Sequence, residues 1–449
     1  MARPLAPQDE PAGLTEPPAP VSPARMALFG GGNFGAGLVF AFTNAALPLY
    51  LASYALPNAI IGLLSQDRPP LAGLLQIVVG ALSDRTRTRL GRRRPYILVG
   101  VPVAALALAV LALRPPVALV ILLLVLMTSF LAIGYGPYLA LLVDVVPMEQ
   151  RARVGGVLNV GNMAGQMLML WLASQLWAQW EALVFWLAAG GLLLGFGLVL
   201  LGVAERVSAP TAAGDLAGAG GPGPQGGAPA PPRRLRLHPV AYVRGVLHYR
   251  EAAKYLLATL FFWFGTGGVV PFLSRFGVAE LGTDEATAFR LLMLPIVATA
   301  VASLPAGWLG DRFGKKRVLL VGLTVMGVAV LAGSQVRTVE QAIVALLVTG
   351  VANALCTVPL LPLLADLIPR QRAGEFTGLG AAVWELAQPV GAVLGGLAAD
   401  VTGSLRSTLA VAGLMVLVAG ALLLPVRAPG PGAAGVQPVS PRLARETGA

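Results

Sequence analysis

From residue 28 onward, long apolar stretches alternate with short polar or glycine-containing turns. About twelve of these stretches reach the roughly 20 residues that a helix needs to cross a hydrocarbon core. The pattern predicts spans at Leu28–Leu49, Asn58–Ser83, Pro95–Leu113, Val117–Val143, Val154–Trp177 and Leu183–Ala204, then at Tyr255–Leu273, Ala288–Leu309, Val318–Val336, Gln341–Leu364, Phe376–Ala399 and Thr408–Val426. It predicts an all-α integral membrane protein, with two six-helix bundles. The segment SAPTAAGDLAGAGGPGPQGGAPAPP, Ser208 to Pro232, has neither apolar periodicity nor bulky side chains and reads as a flexible linker. The predicted organisation is a disordered tail over 1–25, a first bundle over 26–207 and a linker over 208–238. A second bundle follows over 239–426, with a short amphipathic lead-in from Pro239 to Arg250, and then a disordered tail over 427–449.

The two halves repeat one another. GALSDRTRTRLGRRRPYILVG (Gly80 to Gly100) returns as AGWLGDRFGKKRVLLVG (Ala306 to Gly322). In both, an apolar helix ends at a turn, and an Asp (Asp84, Asp311), a Gly (Gly91, Gly314) and a cationic cluster follow in that order. LLVDVVPMEQRARVGG, after the fourth span, returns as LLADLIPRQRAGEF after the tenth. Asp144 then corresponds to Asp366 and Pro147 to Pro369, at an offset of 222 that also sets Gln166 against Gln388 and Met163 against Glu385. A duplicated six-span unit places a ligand site between its halves, near the middle of the membrane.

Composition agrees and removes alternatives. Of 449 residues, 56% are hydrophobic and 12% charged, and the mean hydropathy of +0.76 is that of a membrane protein. The net charge of +11 is a topology signal more than a nucleic-acid footprint. With both termini inside, 26 of the 32 Lys and Arg fall on the cytoplasmic side, and Arg68, Arg114, Arg275, Arg290, Arg337 and Arg406 make up the rest. The single cysteine, Cys356, excludes an intrachain disulfide, and His238 and His248 are too few for a catalytic zinc site. GGGNFG (Gly30 to Gly35) fits G-x-G-x-x-G but opens a membrane helix with no strand before it, and no complete phosphate loop is present. Neither an enzyme nor a cofactor, metal or nucleic-acid partner is expected. The 29 arginines against three lysines suit a GC-rich bacterial genome.

Two six-span halves, an SDR…GRRR loop after span two and a DxxP…R loop after span four resemble the major facilitator superfamily. Within it, DRTRTRLGRRRPYIL is similar to the sucrose-proton symporters, close to the glycoside-pentoside-hexuronide cation symporters. The resemblance implies alternating access by rocking of one half against the other. One departure stands out: where the symporters carry GPxRAxxAD, this chain reads GPYLALLVD (Gly136 to Asp144), with Leu139 in the place of the arginine.

The basic loops carry two readings. Topology and headgroup contact account for their charge. The fixed order of Asp and Gly points further, to a gate built from Asp84, Arg85, Gly91, Arg94, Asp144, Arg151, Asp311, Arg317, Asp366 and Arg372. The resemblance implies that Asp84 meets the start of the eleventh span near Gly374, with Arg94–Asp144 and Arg317–Asp366 as neighbouring pairs.

Inside the spans, charge is costly and marks function. Glu385 lies about nine residues into the eleventh span, roughly 14 Å deep, and is the leading proton carrier. Asp67 and Arg68 suit either an outer surface pair or a coupling pair. Asn159, Asn162 and Gln166 form one polar stripe on the fifth span, fit for hydroxyl groups or for amide packing between helices. Tyr135, Tyr138, Trp263 and Trp384 are platforms for a sugar face or core residues. Asn33, Asn44, Gln76, Arg290 and Gln388 complete the substrate-binding candidates, Arg290 being a snorkelling cation by default. The expected function is proton-coupled uptake of a sugar or glycoside by a monomer in the bacterial inner membrane. Efflux of a small amphipathic compound is the rival, and a non-transporting membrane sensor is the alternative of another class.

Overall fold

The computed structural model describes residues 21–66, 75, 78–80, 82–83, 86, 88, 90–202, 249–368 and 372–427. Asp67, Arg68, Gln76, Asp84, Arg85, the linker, most of the lead-in and most of both tails lie outside the described residues. The first half contains α1 (Pro23–Ala41), a π-helical turn (Phe42–Ala46), α2 (Leu47–Ala52), α3 (Asn58–Leu64), α4 (Arg94–Leu111), α5 (Val117–Val145) and α6 (Arg151–Gly202). The second contains α7 (Arg250–Val269), a 3-10 turn (Val270–Phe272), α8 (Leu273–Leu281), α9 (Glu285–Phe313), α10 (Lys315–Gly333), α11 (Val339–Leu367), α12 (Ala373–Thr402) and α13 (Arg406–Leu423).

Ten helices among the described residues are long and apolar enough to cross a membrane. The expected fifth and sixth spans run together as α6, divided at Trp180, where φ −139° and ψ 52° leave the helical region. Of the expected second span, only α3 is described as a continuous helix. Helix ends follow local chemistry. Ser22 and Thr338 accept main-chain N–H groups at the starts of α1 and α11, and Gly282 and Gly403 end α8 and α12 in the left-handed region.

The glycines of GGGNFG have a packing role. Gly30, Gly31 and Gly35, with Gly37 just beyond the motif, bring α1 against α6, and a Cβ at Gly37 would overlap the Asn162 main-chain oxygen. Reciprocally, a Cβ at Gly165 would fall 2.1 Å from the Phe34 oxygen. The second half repeats this clasp between α7 and α12: a Cβ at Gly267 would overlap the Gln388 main-chain oxygen, and one at Gly391 the Phe264 main-chain oxygen. Close approach of this kind holds helices by van der Waals contact where lipid removes the hydrophobic drive.

The clasp corrects the repeat alignment. By packing, Gln388 is the counterpart of Asn162, at an offset of 226, and the same offset sets Glu385 against Asn159 rather than Met163. The DxxP segments match at 222, so the helices that follow them are displaced by four residues, about one helical turn.

Each half has its own apolar core. One gathers α1, α4, α5 and α6 around Phe29, Phe42, Phe185 and Phe196, and the other gathers α7, α10, α11 and α13 around Tyr255, Phe262, Leu323 and Val416. Phe289 of α9 belongs to the first core and stacks edge-on against Trp177 at 5.6 Å, which joins the halves. One end of the bundle carries Arg92 to Arg94, Arg151, Lys315 to Arg317 and Arg372 and is the basic end. The other, the far end, holds the α2–α3 turn, the α8–α9 turn and the end of α12.

Candidate functional site

At the basic end the two halves build the same ion pair from residues 51 positions apart. Arg93 Nε donates to Asp144 Oδ2 at 3.1 Å, and Lys315 Nζ to Asp366 Oδ2 at 2.6 Å. These pairs replace the expected Arg94–Asp144 and Arg317–Asp366. Gly91 (φ 106°) and Gly314 (φ 93°) turn the chain in the left-handed region just before, so the first cations after each turn reach the carboxylate. Arg94, one residue later, donates to the main-chain oxygen of Leu200, and Arg317 is exposed. Arg93 is only 7% exposed and also donates to Ser83 Oγ at 2.6 Å, while Arg92 reaches the same Asp144 oxygen at 3.0 Å. Arg151 Nε donates to Val146 O at 3.2 Å. Arg372 lies over the rings of Tyr249 and Phe376, at 5.0 and 5.6 Å. Asp311 is exposed at the end of α9.

In the middle of the first half, the polar side chains bond to one another. Tyr135 donates to Asn33 Oδ1 at 2.9 Å, Asn33 Nδ2 to Leu158 O at 2.9 Å, and Gln166 Nε2 to Asn162 Oδ1 at 2.7 Å. Asn33 is 7% exposed. This network ties α1, α5 and α6 together, which is the amide-packing reading of the stripe, while Gln166 and Asn162 remain half-buried at its edge. Asn159 is exposed, with Met163 Sδ 3.8 Å from its amide. Asn44 turns back on Phe40 O at 2.8 Å within the π-helical turn. Tyr138 is fully buried, donates to Phe29 O at 2.6 Å and packs on Phe196, so it is a core residue and no sugar platform.

The second half presents a different wall. Trp263 of α7 and Trp384 of α12 lie 5.4 Å apart with rings tilted by 34°. Glu385 and Gln388 follow on α12, and all four are half-buried. Helical spacing of three residues sets Glu385 and Gln388 on neighbouring turns of one face. Arg290 is exposed, five residues into α9, as suits a snorkelling cation.

Residues that the hydropathy pattern left unremarked join the halves at the far end. The Asp400 carboxylate of α12 accepts from Asn58 N and Asn58 Nδ2, both at 2.8 Å, and from Ala59 N at 3.0 Å. Arg275 of α8 donates to Asn58 Oδ1, and Ser274 Oγ to Ala45 O at 2.7 Å. Gly62 and Gly396 let α3 and α12 touch through main chain: a Cβ at Gly62 would lie 2.7 Å from Ala392 O, and one at Gly396 2.5 Å from Ala59. One signal was available, an Asp placed in the last turn of a helix, where the carbonyl end disfavours negative charge and donors must come from elsewhere. Within the second half, Glu280 accepts from Arg406 Nε, Ser404 Oγ and Leu405 N, which fixes the α12–α13 turn to α8.

The family model of the Major Facilitator Superfamily matches residues 29–295 and 255–446. An uncharacterized MFS-type transporter of Mycobacterium tuberculosis is 35% identical over 126 residues, 28% of this chain and 22% of that protein. Another, of Bacillus subtilis, is 30% identical over 179 residues, 39% of this chain and 40% of that protein. The chain thus spans less than half the length of these curated relatives. Among solved structures, a bacterial homolog to the human lysosomal transporter Spinster, inward-facing and unoccupied, superposes with a TM-score of 0.67. That match covers 90% of this chain and 97% of the other at 14% identity, a likeness of fold.

Proposed function

This chain belongs to the major facilitator superfamily, and on that premise we propose that it is a membrane transporter that moves a small polar solute, a sugar or glycoside, by proton-coupled alternating access. In this reading the basic end and both termini face the cytoplasm of a bacterium, and the protein works as a monomer in the inner membrane. The observation that carries the reading is the pairing of Trp263 and Trp384 beside Glu385 and Gln388 on two helices of the second half. Aromatic faces accept the apolar face of a pyranose, and the Glu385 carboxylate, with the Gln388 amide one turn further along α12, serves its hydroxyls.

Glu385 is the proposed proton carrier, since it is a half-buried acidic side chain within the long, largely apolar helix α12, next to Trp384 in sequence. The first half contributes Gln166 and Asn162, whose remaining amide hydrogens and oxygens extend the polar lining. The gate proposed at the basic end rests on the sequence repeat: Asp84 against the start of α12, flanked by the Arg93–Asp144 and Lys315–Asp366 pairs. The far-end contacts between α3, α8 and α12 support an access path that is closed there, with the proposed basic-end gate controlling the other side.

The test is flux in proteoliposomes across a panel of sugars under a proton gradient. The reading predicts uptake of at least one sugar that acidifies the vesicle interior. Solute exit coupled to proton entry would turn it to efflux.

A further inference from the structure

Asp400 lies two residues before the last residue of α12, where the helix's own free carbonyls repel a carboxylate. Its donors come from the other half of the molecule. Asn58 N and Ala59 N are the first two main-chain N–H groups of α3, so Asp400 caps that helix from across the interface. Asn58 Nδ2 adds a third bond to Oδ1. Arg275 holds Asn58 from the other side through its Oδ1, so α3, α8 and α12 meet at one asparagine. The main-chain approach at Gly62 and Gly396 seats both helices at contact distance, which leaves the carboxylate little freedom to follow if they part.

We infer that Asp400 is an access-controlling residue: its cap on Asn58 and Ala59 holds the far end shut, and that end opens only when the carboxylate is withdrawn. The partners are on the two halves whose separation would open that end, which distinguishes this contact from Glu280–Arg406, confined to one half. The apolar contact of Trp177 with Phe289 also joins the halves, but it is non-directional and tolerates sliding. Three donors on one carboxylate do not tolerate it, because hydrogen bonds weaken steeply with distance and angle. The inference rests on the alternating-access reading but not on the identity of the solute.

The experiment places spin labels on Ser53→Cys and Gln335→Cys, exposed far-end positions in opposite halves, in the full chain in nanodiscs. The native Cys356 is fully buried and leaves a clean background. Asp400→Ala is expected to raise the long-distance population by about tenfold or more, the effect of losing hydrogen bonds to a charged acceptor. Asp400→Glu should restore much of the short distance, as a purely packing role would not. If Asp400→Ala does not fold, Asn58→Ala is read in the same way, since it removes the side-chain donor and the Arg275 acceptor together. A folded variant whose distances superpose on the wild type overturns the inference. Sugar flux measured beside the distances separates the two readings: unchanged distances with retained flux overturn the cap alone, and shifted distances with no flux in any form overturn transport alone.

Discussion

Arg93 donates to Asp144 across 51 residues, and the pseudo-equivalent pair Lys315–Asp366 spans the same 51 in the second half, yet the two pairs differ in burial. The difference lies in the cations: the Arg93 side chain is 9% exposed against 28% for Lys315, while Asp144 and Asp366 are alike at 24% and 28%. Removing Asp144 takes the carboxylate from a nearly buried guanidinium that keeps only neutral partners such as Ser83 Oγ among its described hydrogen bonds, which costs about 3 kcal/mol. Removing Asp366 from the second pair costs about 1 kcal/mol or less. Asp144→Ala is therefore expected to lower the melting temperature clearly more than Asp366→Ala, as read by tryptophan fluorescence in detergent. Equal shifts would mean that burial at this end has no energetic consequence.

The glycine clasps allow no side chain. Gly37→Ala and Gly267→Ala should each destabilise by about 1–3 kcal/mol, because the new methyl meets a main-chain oxygen that cannot yield. Gly155 has nothing within 4 Å, so Gly155→Ala should be neutral or gain up to about 1 kcal/mol from helix propensity. Thermal unfolding of the three variants under one set of conditions gives the comparison.

Two tyrosines three residues apart should part company. Tyr138→Phe loses a buried hydrogen bond to Phe29 O and should cost about 1 kcal/mol of stability, with the affinity for solute unchanged. Tyr135→Phe removes the donor on Asn33 at the edge of the network and should weaken solute affinity more than stability. Binding and melting measured on both variants would show a crossed pattern. A parallel loss in both would assign Tyr135 to the core as well.

Glu385→Gln should abolish proton-driven accumulation while solute exchange across the membrane continues. Asp84→Asn, at the proposed basic-end gate, should slow transport with little loss of expression, since a gate contact shifts a population and leaves the fold intact. Counterflow and gradient-driven uptake, run on the same preparations, separate these outcomes. Normal accumulation by Glu385→Gln would remove that residue from coupling.

How far the sequence could be read depended on whether an interaction is local. Spans were legible because apolar length is a property of consecutive residues, and the turn between the fifth and sixth, expected after Trp177, falls at Trp180. Partners were legible to within one or two positions: Asp144 and Asp366 were recognised by their repeat, but a left-handed glycine decides which following cation reaches them. GGGNFG was legible as no dinucleotide motif, yet its packing role required knowing that α6 lies against it. Asp400 was hidden because its partners, Asn58 and Ala59, are more than 340 residues away, and no periodicity encodes that distance. The four-residue displacement that pairs Asn162 with Gln388 was masked by the stronger DxxP match.

The central claim is that this member of the superfamily couples a polar solute to protons, and flux is its most direct test. Proteoliposomes carrying the wild-type chain, loaded with a pH-sensitive dye and given an inward proton gradient, are exposed to a panel of sugars and glycosides. The account predicts that at least one accumulates above equilibration with matching acidification inside, and that Glu385→Gln abolishes both. Solute binding with no flux and no proton movement in the wild type would contradict it.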